Sequence, residues 1–256
     1  MLEQPSTARP PSEGSRPRKP RYAVRVQRVR RITPRMVRVT FASEELAGFT
    51  WSGPASHIKL IFETGAMRTY TPRRFDREAR ELDVEFVIHG EGPASAWAEQ
   101  ASVGQSLTVA GPGRSYSVDP AADWYLLAGD DTAIPAIGTI LETLRPGARV
   151  LVVLEVADAA EEHSLEAHGP PAEIHWVRRG PEPSSAGREL EAAVRRLELP
   201  AGSGRIYVAC EADAMRRIRR HLLAERQFPR TQLVTRGYWR QGETDHPDRD
   251  YGEDVA

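Results

Sequence analysis

The apolar residues of this 256-residue chain keep two different rhythms, and the change near Pro120 limits the folds open to it. Ahead of that point the residues alternate. Val37, Val39 and Phe41 are interleaved with Arg38 and Thr40, and Leu82, Val84, Phe86 and Ile88 with Asp83, Glu85 and Val87. A period of two is the mark of a strand with one buried face. His57 to Phe62 and Ser106 to Ala110 read as further strands, and only Pro93 to Ala101 reads as a helix. Many short strands with turn residues between them predict a closed antiparallel barrel.

After Asp123 the pattern becomes strand and helix in turn. Trp124 to Ala128 is a short apolar strand; Ile134, Ile137, Leu141 and Leu144 then recur at helical spacing until Pro146-Gly147. Val150 to Val156 is a continuous apolar run, as expected of a strand buried on both faces. Strand-like Ile174 to Val177, helical Arg188 to Leu197, strand-like Arg205 to Ala209 and helical Asp213 to Arg226 follow. This alternation predicts a parallel α/β sheet. The expected organisation is a tail over 1–20, a barrel domain over 21–119, an α/β domain over 120–242 and an acidic, mobile tail over 243–256. The first 20 residues hold five prolines and few large apolar groups, a disordered composition, and the cluster Arg16, Arg18, Lys19 and Arg21 reads as solvated.

Composition narrows the function classes. Lys and Arg total 35 against 36 Asp and Glu, which argues against nucleic acid or an anionic membrane as the main partner. The helix carrying Arg216, Arg217, Arg219 and Arg220 is basic on one side only, since Met215, Ile218 and Leu222 mark the other as core. A single cysteine excludes an intramolecular disulfide and a multi-cysteine cluster. His163 and His168, scattered among Glu161, Glu162 and Glu166, read as a solvated acidic loop and not as a metal site. No transmembrane run or secretory signal is present, so a cytoplasmic protein is expected, and with no large apolar surface feature in the sequence, a monomer.

Four clusters carry candidate chemistry. Arg68-Thr69-Tyr70-Thr71-Pro72-Arg73 offers guanidinium groups for phosphate and a phenol ring for a planar ligand, although alone it also fits a charged edge strand. His89-Gly90-Glu91-Gly92-Pro93-Ala94-Ser95-Ala96-Trp97 runs from a strand through a glycine turn into a helix start, where backbone N–H groups suit a pyrophosphate. Gly129-Asp130-Asp131-Thr132-Ala133-Ile134-Pro135 follows the first strand of the α/β half, where such sheets bind ligands; Asp131 or Thr132 also suits a helix cap. Gly237-Tyr238-Trp239-Arg240-Gln241-Gly242 places two aromatics near the end of the chain, either as a core plug or over a planar ligand.

In this order and spacing the clusters resemble the siderophore-interacting protein family, flavin reductases of the ferredoxin-reductase-like kind. The resemblance covers about Arg21 to Gly242. It implies a six-stranded antiparallel barrel that binds FAD, followed by a Rossmann-like sheet that binds NAD(P)H. The family's Arg-x-Tyr-Thr-x-Arg segment is matched by Arg68, Tyr70, Thr71 and Arg73, which implies Tyr70 against the isoalloxazine, Thr71 near its N5 and both arginines on phosphate. The second cluster implies Ile88 and His89 along the flavin, with Gly92, Ala94 and Ser95 at the pyrophosphate. The third implies nicotinamide at Asp130, Asp131, Thr132 and Ala133, with Asp131 and Ile134 as mild departures from a family glutamate and leucine. Trp239 is expected over the flavin. The last family strand often ends Gly-Glu, whereas this chain has Cys210-Glu211; Cys210 is read either as a small buried residue or as one near the nicotinamide.

The implied reaction takes electrons from NADPH or NADH through FAD to Fe(III) held in a siderophore. Hard oxygen donors hold Fe(III) better than Fe(II), so reduction loosens the iron without a protein ligand to it. Ferric siderophores are often anionic, which makes Lys59, Arg114 and Arg240 the docking candidates. For the donor, Asp158 suits an NADH ribose and Arg178 with Arg179 an NADPH phosphate; the resemblance favours NADPH. Ferredoxin or another acceptor would serve the same fold, and a flavin- or siderophore-binding module without turnover is the reading from another class.

Overall fold

The computed structural model describes residues 19–89, 92–165, 169–180, 182, 186–247 and 249–252. Residues 1–18 of the tail expected over 1–20, the turn residues Gly90 and Glu91, the loop residues Glu166 and His168, and 253–256 lie outside the described residues.

The alternating half folds into β1 (Arg21–Thr33), β2 (Met36–Ala42), β3 (Ile58–Ile61), β4 (Met67–Tyr70), β5 (Pro72–Asp76), β6 (Glu81–Val87) and β7 (Ser106–Ala110), with one helix, α1 (Pro93–Glu99). Every pairing is antiparallel, in the order β4-β3-β7-β1-β2-β6-β5. This is the expected antiparallel barrel-like sheet, and only the strand count departs from the expected six. There are seven strands, and the outermost two, β4 and β5, are consecutive in the chain with only Thr71 between them. Pro72 has no N–H to continue a ladder, so one long run breaks there and its two parts pair at opposite edges. The chain itself bridges the gap that hydrogen bonds leave open.

Leu82, Val84 and Phe86 of β6 enter one core with Val37, Val39 and Phe41 of β2. From α1, Trp97 stacks on Phe41 at 6.0 Å and meets Phe62 and Phe86 edge-on or tilted at 5.5 and 5.7 Å. Burial of such a ring is worth about 1.5–3 kcal/mol. It pins α1, and therefore the turn before it, to the sheet.

The second half contains β8 (Trp124–Asp130), α2 (Ile134–Thr143), β9 (Arg149–Val156), β10 (Glu173–Arg178), α3 (Arg188–Arg196), β11 (Gly204–Glu211), α4 (Ala212–Arg220) and β12 (Leu233–Trp239). All five strands are parallel, in the order β10-β9-β8-β11-β12. The chain builds outward from β8 in one direction and then returns to the other side with β11, so the order reverses between these two strands. Ligands in such sheets lie beyond the carboxyl ends at that reversal. Two details differ from the sequence reading. The helix expected to reach Arg226 changes at His221–Glu225 into a π-helical turn. The first half of the segment expected only as a terminal aromatic cluster belongs to β12, in which Leu233, Thr235 and Gly237 face inward.

The halves are tied by specific bonds. The Ala55 N–H donates to Thr139 Oγ1 at 2.9 Å, and the Arg35 N–H to Glu161 Oε2 at 3.2 Å, with Thr33 bonded to the same carboxylate. No helix among the described residues is long and apolar enough to cross a membrane.

Candidate functional site

A cavity of about 1090 Å3 opens where the two sheets meet. One wall is β4 and the break after it: Arg68, Thr69, Tyr70 and Thr71 all line the space. Tyr70 packs its ring on Phe86 at 4.5 Å, and burial raises its pKa. Thr71 reaches Tyr238, whose hydroxyl lies 2.7 Å from that of Tyr207, and Tyr116 meets Tyr207 edge-on at 5.3 Å. Burial pushes the Tyr116 phenol up to about 12, so this aromatic wall is neutral at ordinary pH.

The next wall is the start of α1, with His89, Gly92, Ala94 and Ser95 lining the cavity. Gly92 has φ +88°, a conformation side-chain-bearing residues rarely adopt. The Ser95 hydroxyl accepts the His89 N–H at 3.0 Å, which locks strand end to helix start.

The α/β half supplies Asp131, Thr132, Arg179 and the end of β12. Beneath them lies a buried charge network. Asp130 Oδ1 accepts from the Thr132 N–H and hydroxyl at 3.0 and 2.5 Å, and Oδ2 from the Glu211 N–H and Trp239 Nε1 at 2.9 and 2.8 Å. Burial, then the neighbouring Asp131, pushes Asp130 up to about 7 against the Thr132 and Trp239 hydrogen bonds and the Arg179 charge. Arg179 donates from Nε to Glu155 at 3.0 Å and lies 3.5 Å from Asp131. Burial opposes its charge, but the surrounding carboxylates hold it firmly protonated. Glu155 is fully buried and also accepts the Gly187 and Leu190 N–H groups at 2.8 and 3.0 Å.

The site residues anticipated from sequence divide into two groups. Arg68, Tyr70, Thr71, His89, Gly92, Ala94, Ser95, Asp131, Thr132, Arg114, Trp239 and Arg240 converge on the cavity. Five others do not line it. Arg73 is 5% exposed and points away: Nη1 bonds Glu142 of α2 at 2.9 Å and Nη2 the Leu165 carbonyl at 2.8 Å. The break at Thr71 turns the strand, so the two arginines of one motif face different neighbours. Ile88 belongs to the core of the first half and Ala133, fully buried, to that of the second. Asp130 acts from beneath, through Trp239. Lys59 sits mid-strand, paired with Thr69 and Ala110, and Lys19 lines the cavity instead, with Nζ 3.3 Å from His57 Nε2.

Of the donor candidates, Asp158 caps a short turn through the Ala160 N–H at 2.8 Å, and Arg178 pairs with Glu162 at 3.0 Å. Cys210 is fully buried, and burial together with Asp130 raises its pKa well above the usual thiol value, so it is a core residue. Among the described residues no group of three or more His, Cys, Asp or Glu side chains could hold a metal ion.

Sequence reasoning missed the chain end. Instead of a free acidic tail, residues 243–246 and Tyr251 line the cavity, and Asp245 lies 3.8 Å from Arg68. Asp250 fastens this segment: its carbonyl accepts the Gly237 N–H at 2.9 Å and its carboxylate pairs with Arg216 and His246, each at 2.8 Å. Arg236 covers the Tyr251 ring at 4.2 Å. The charged composition of 243–252 concealed this, because Asp245 and Asp250 pair with residues far away in sequence, Arg68 and Arg216. Altogether seven Lys or Arg side chains line the cavity against four Asp or Glu, a balance suited to an anion.

Comparison with known proteins agrees over both halves. The family described as Siderophore-interacting protein matches residues 122–242, and the Siderophore-interacting FAD-binding domain matches 25–66 and 63–116. The ferric vibriobactin reductase ViuB of Vibrio cholerae is 32% identical, over 84% of this chain and 87% of that protein. The NADPH-dependent ferric-chelate reductase of Escherichia coli is 30% identical over 86% and 97%. The crystal structure of a siderophore utilization protein from T. fusca superposes with a TM-score of 0.81 at 39% identity, over 90% of this chain and 96% of that one.

Proposed function

The chain belongs to the siderophore-interacting protein family, and from that premise we propose that it is an FAD-dependent reductase that uses NADPH to reduce Fe(III) in a siderophore and release Fe(II). The observation that carries this reading is the convergence of both halves on one cavity. The barrel brings Arg68 to Thr71 and the start of α1, and the parallel sheet brings Asp131, Thr132 and Trp239 from its carboxyl edge.

The residues present fit FAD. A volume of about 1090 Å3 suits a dinucleotide, Tyr70 offers a ring beside Thr71, and Gly92 keeps the backbone open in front of Ala94 and Ser95. Arg68 and the start of α1 would hold the phosphates, and Tyr70 with Thr71 the flavin ring. Trp239, tethered by Asp130, would close the other side. When bound, FAD accepts a two-electron hydride and returns single electrons. The protein's part is to orient donor and flavin, to keep water from between them and to present Arg114 and Arg240 to an anionic ferric complex. One NADPH supplies electrons for two Fe(III) centres.

The test is optical. FAD-loaded protein is titrated with NADPH without oxygen while the flavin band is followed, and a ferric siderophore is then added with a ferrous-specific chelator. Bleaching, recovery of colour and trapped Fe(II) are the expected sequence. A flavin that stays oxidised with both NADPH and NADH would refute the reductase reading and leave a binding module.

A further inference from the structure

The near balance of the charge totals conceals where the charges stand. Residues 14–43 carry ten Lys or Arg and no Asp or Glu, so the rest of the chain is acidic in proportion. Most of that run is β1 and the turn after it, where Arg21, Arg25, Arg28, Arg30, Arg31 and Arg35 are all exposed. Carboxylates answer them only in part. Glu81 pairs with Arg28, and Glu45 accepts the Ala23 N–H at 2.8 Å. Across β2, Glu85 is taken by Arg38 and Asp83 by Thr40.

Among the described residues three large apolar side chains are exposed, and two of them border this row. Val29, 39% exposed, stands in β1 between Arg28 and Arg30. Val103 is 71% exposed in the turn before β7. That turn lies against β1: the Gly104 N–H donates to the Val26 carbonyl at 2.9 Å, and the Val26 N–H to the Gln105 carbonyl at 2.8 Å. Beyond Val26 no strand among the described residues pairs with β1 on that side. Cations and two uncovered valines therefore share one open flank. The combination fits a lipid headgroup layer. Guanidinium groups in a row meet phosphates without needing them in a fixed pattern. An isolated valine gains by entering the acyl boundary, where no complementary pocket is required. A protein partner would find no aromatic anchor here, and a nucleic-acid strand nothing to cover Val103.

We propose that this flank, with Arg25, Arg30 and Arg31 beside Val29 and Val103, docks the protein on an anionic membrane surface. The far end of the row comes close to the cavity: the Arg35 carbonyl accepts the Ile88 N–H at 2.7 Å, and the next residue, His89, lines the space. The test is flotation of the full chain with vesicles of phosphatidylcholine alone or mixed with phosphatidylglycerol. Binding is expected only to the anionic vesicles. Raising the salt from about 0.1 M to about 1 M should release it, as the Debye length falls from about 10 Å to about 3 Å. Arg25→Gln, Arg30→Gln and Arg31→Gln should each weaken it about fivefold, the share of one basic residue near an anionic leaflet. Val103→Ser should weaken it severalfold through lost apolar contact, and melting curves confirm that these surface variants stay folded. Absence of binding to anionic vesicles overturns the proposal, as does binding unmoved when all three arginines are changed. Binding that ignores Val103→Ser and is matched by a DNA duplex would assign the strand to polyanions at large and sink the membrane reading. Arginine variants that self-associate, in a protein that never floats, would show instead that the row guards the open edge of β1.

Discussion

The two halves of the molecule treat buried polarity in opposite ways. Inside the barrel-like sheet the side chains are hydrocarbon and aromatic, with Phe41, Phe49, Phe86 and Leu82 fully enclosed, and its buried charges, Arg73 and Glu85, lie outside that core. The parallel sheet instead buries Asp130, Glu155 and Glu211 under its carboxyl edge. Each accepts backbone N–H groups there: Thr132 and Glu211 for Asp130, Gly187 and Leu190 for Glu155, Ala214 for Glu211. Parallel strands end in loops whose N–H groups need acceptors, and a carboxylate satisfies two at once. One half is thus a stiff apolar platform, and the other a loop edge held in shape by charge. The cavity lies where they meet.

The sharpest way to break that contrast is to remove one buried group from each half. Phe41→Ala should cost about 3–5 kcal/mol through its cavity alone. Glu155→Ala should cost about as much by taking from Arg179 its closest carboxylate and orphaning two N–H groups. Thermal melting measures both, at about 2–4 °C per kcal/mol for a chain of this size. Only Glu155→Ala should also alter the binding edge, seen as weaker nicotinamide-nucleotide affinity; equal loss in both variants would erase the distinction.

Asp130→Asn is a milder probe of the charged half. An amide nitrogen replaces one carboxylate oxygen, so one pair of donors loses its acceptor, at about 1–3 kcal/mol. Tryptophan emission should shift to the red if Trp239 is released. The same variant tests the sign of the titration. Asp130 is pushed up to about 7, whereas an unfolded aspartate titrates near ~3.9. The folded state therefore holds its proton longer, and wild-type stability from this group falls as pH rises from about 4 to about 7. Urea unfolding should find the gap between wild type and Asp130→Asn wider at pH about 5 than at pH about 8. A gap that widens on the alkaline side would show that the hydrogen bonds and the Arg179 charge outweigh burial.

Smaller effects mark the edges of the comparison. Arg73→Met should loosen the contact of β5 with α2 by about 1–3 kcal/mol, without the loss of FAD affinity that a phosphate-binding arginine would cause. Arg68→Met should weaken FAD binding with little change in melting. The exposed pair Arg28–Glu81 should contribute about 0–1 kcal/mol, and Arg28→Ala should leave binding untouched.

Much of this was legible in the residues. Alternation in Leu82 to Ile88 and the run Val150 to Val156 depend only on which faces are buried, a local property that side-chain polarity reports. Gly92 before Pro93 likewise declares a turn into a helix start, because few other residue types tolerate that backbone. β12 was harder to read: Arg236 and Gly237 interrupt its pattern, and Gly237 is required because a Cβ there would lie 2.6 Å from an Asp250 oxygen.

What sequence determined by itself was therefore the kind and order of the elements and the set of residues able to bind anions and rings. Tertiary structure alone decided which of them face the cavity. Arg68 and Arg73 are alike in sequence, yet the break at Thr71 sends one to the cavity and the other into the contact with α2. Asp130 holds Trp239 across 109 residues, and Asp250 closes the cavity by pairing with Arg216 across 34. Local patterns record the burial of a face, but the partner of a charge is fixed only when the chain has brought distant segments together.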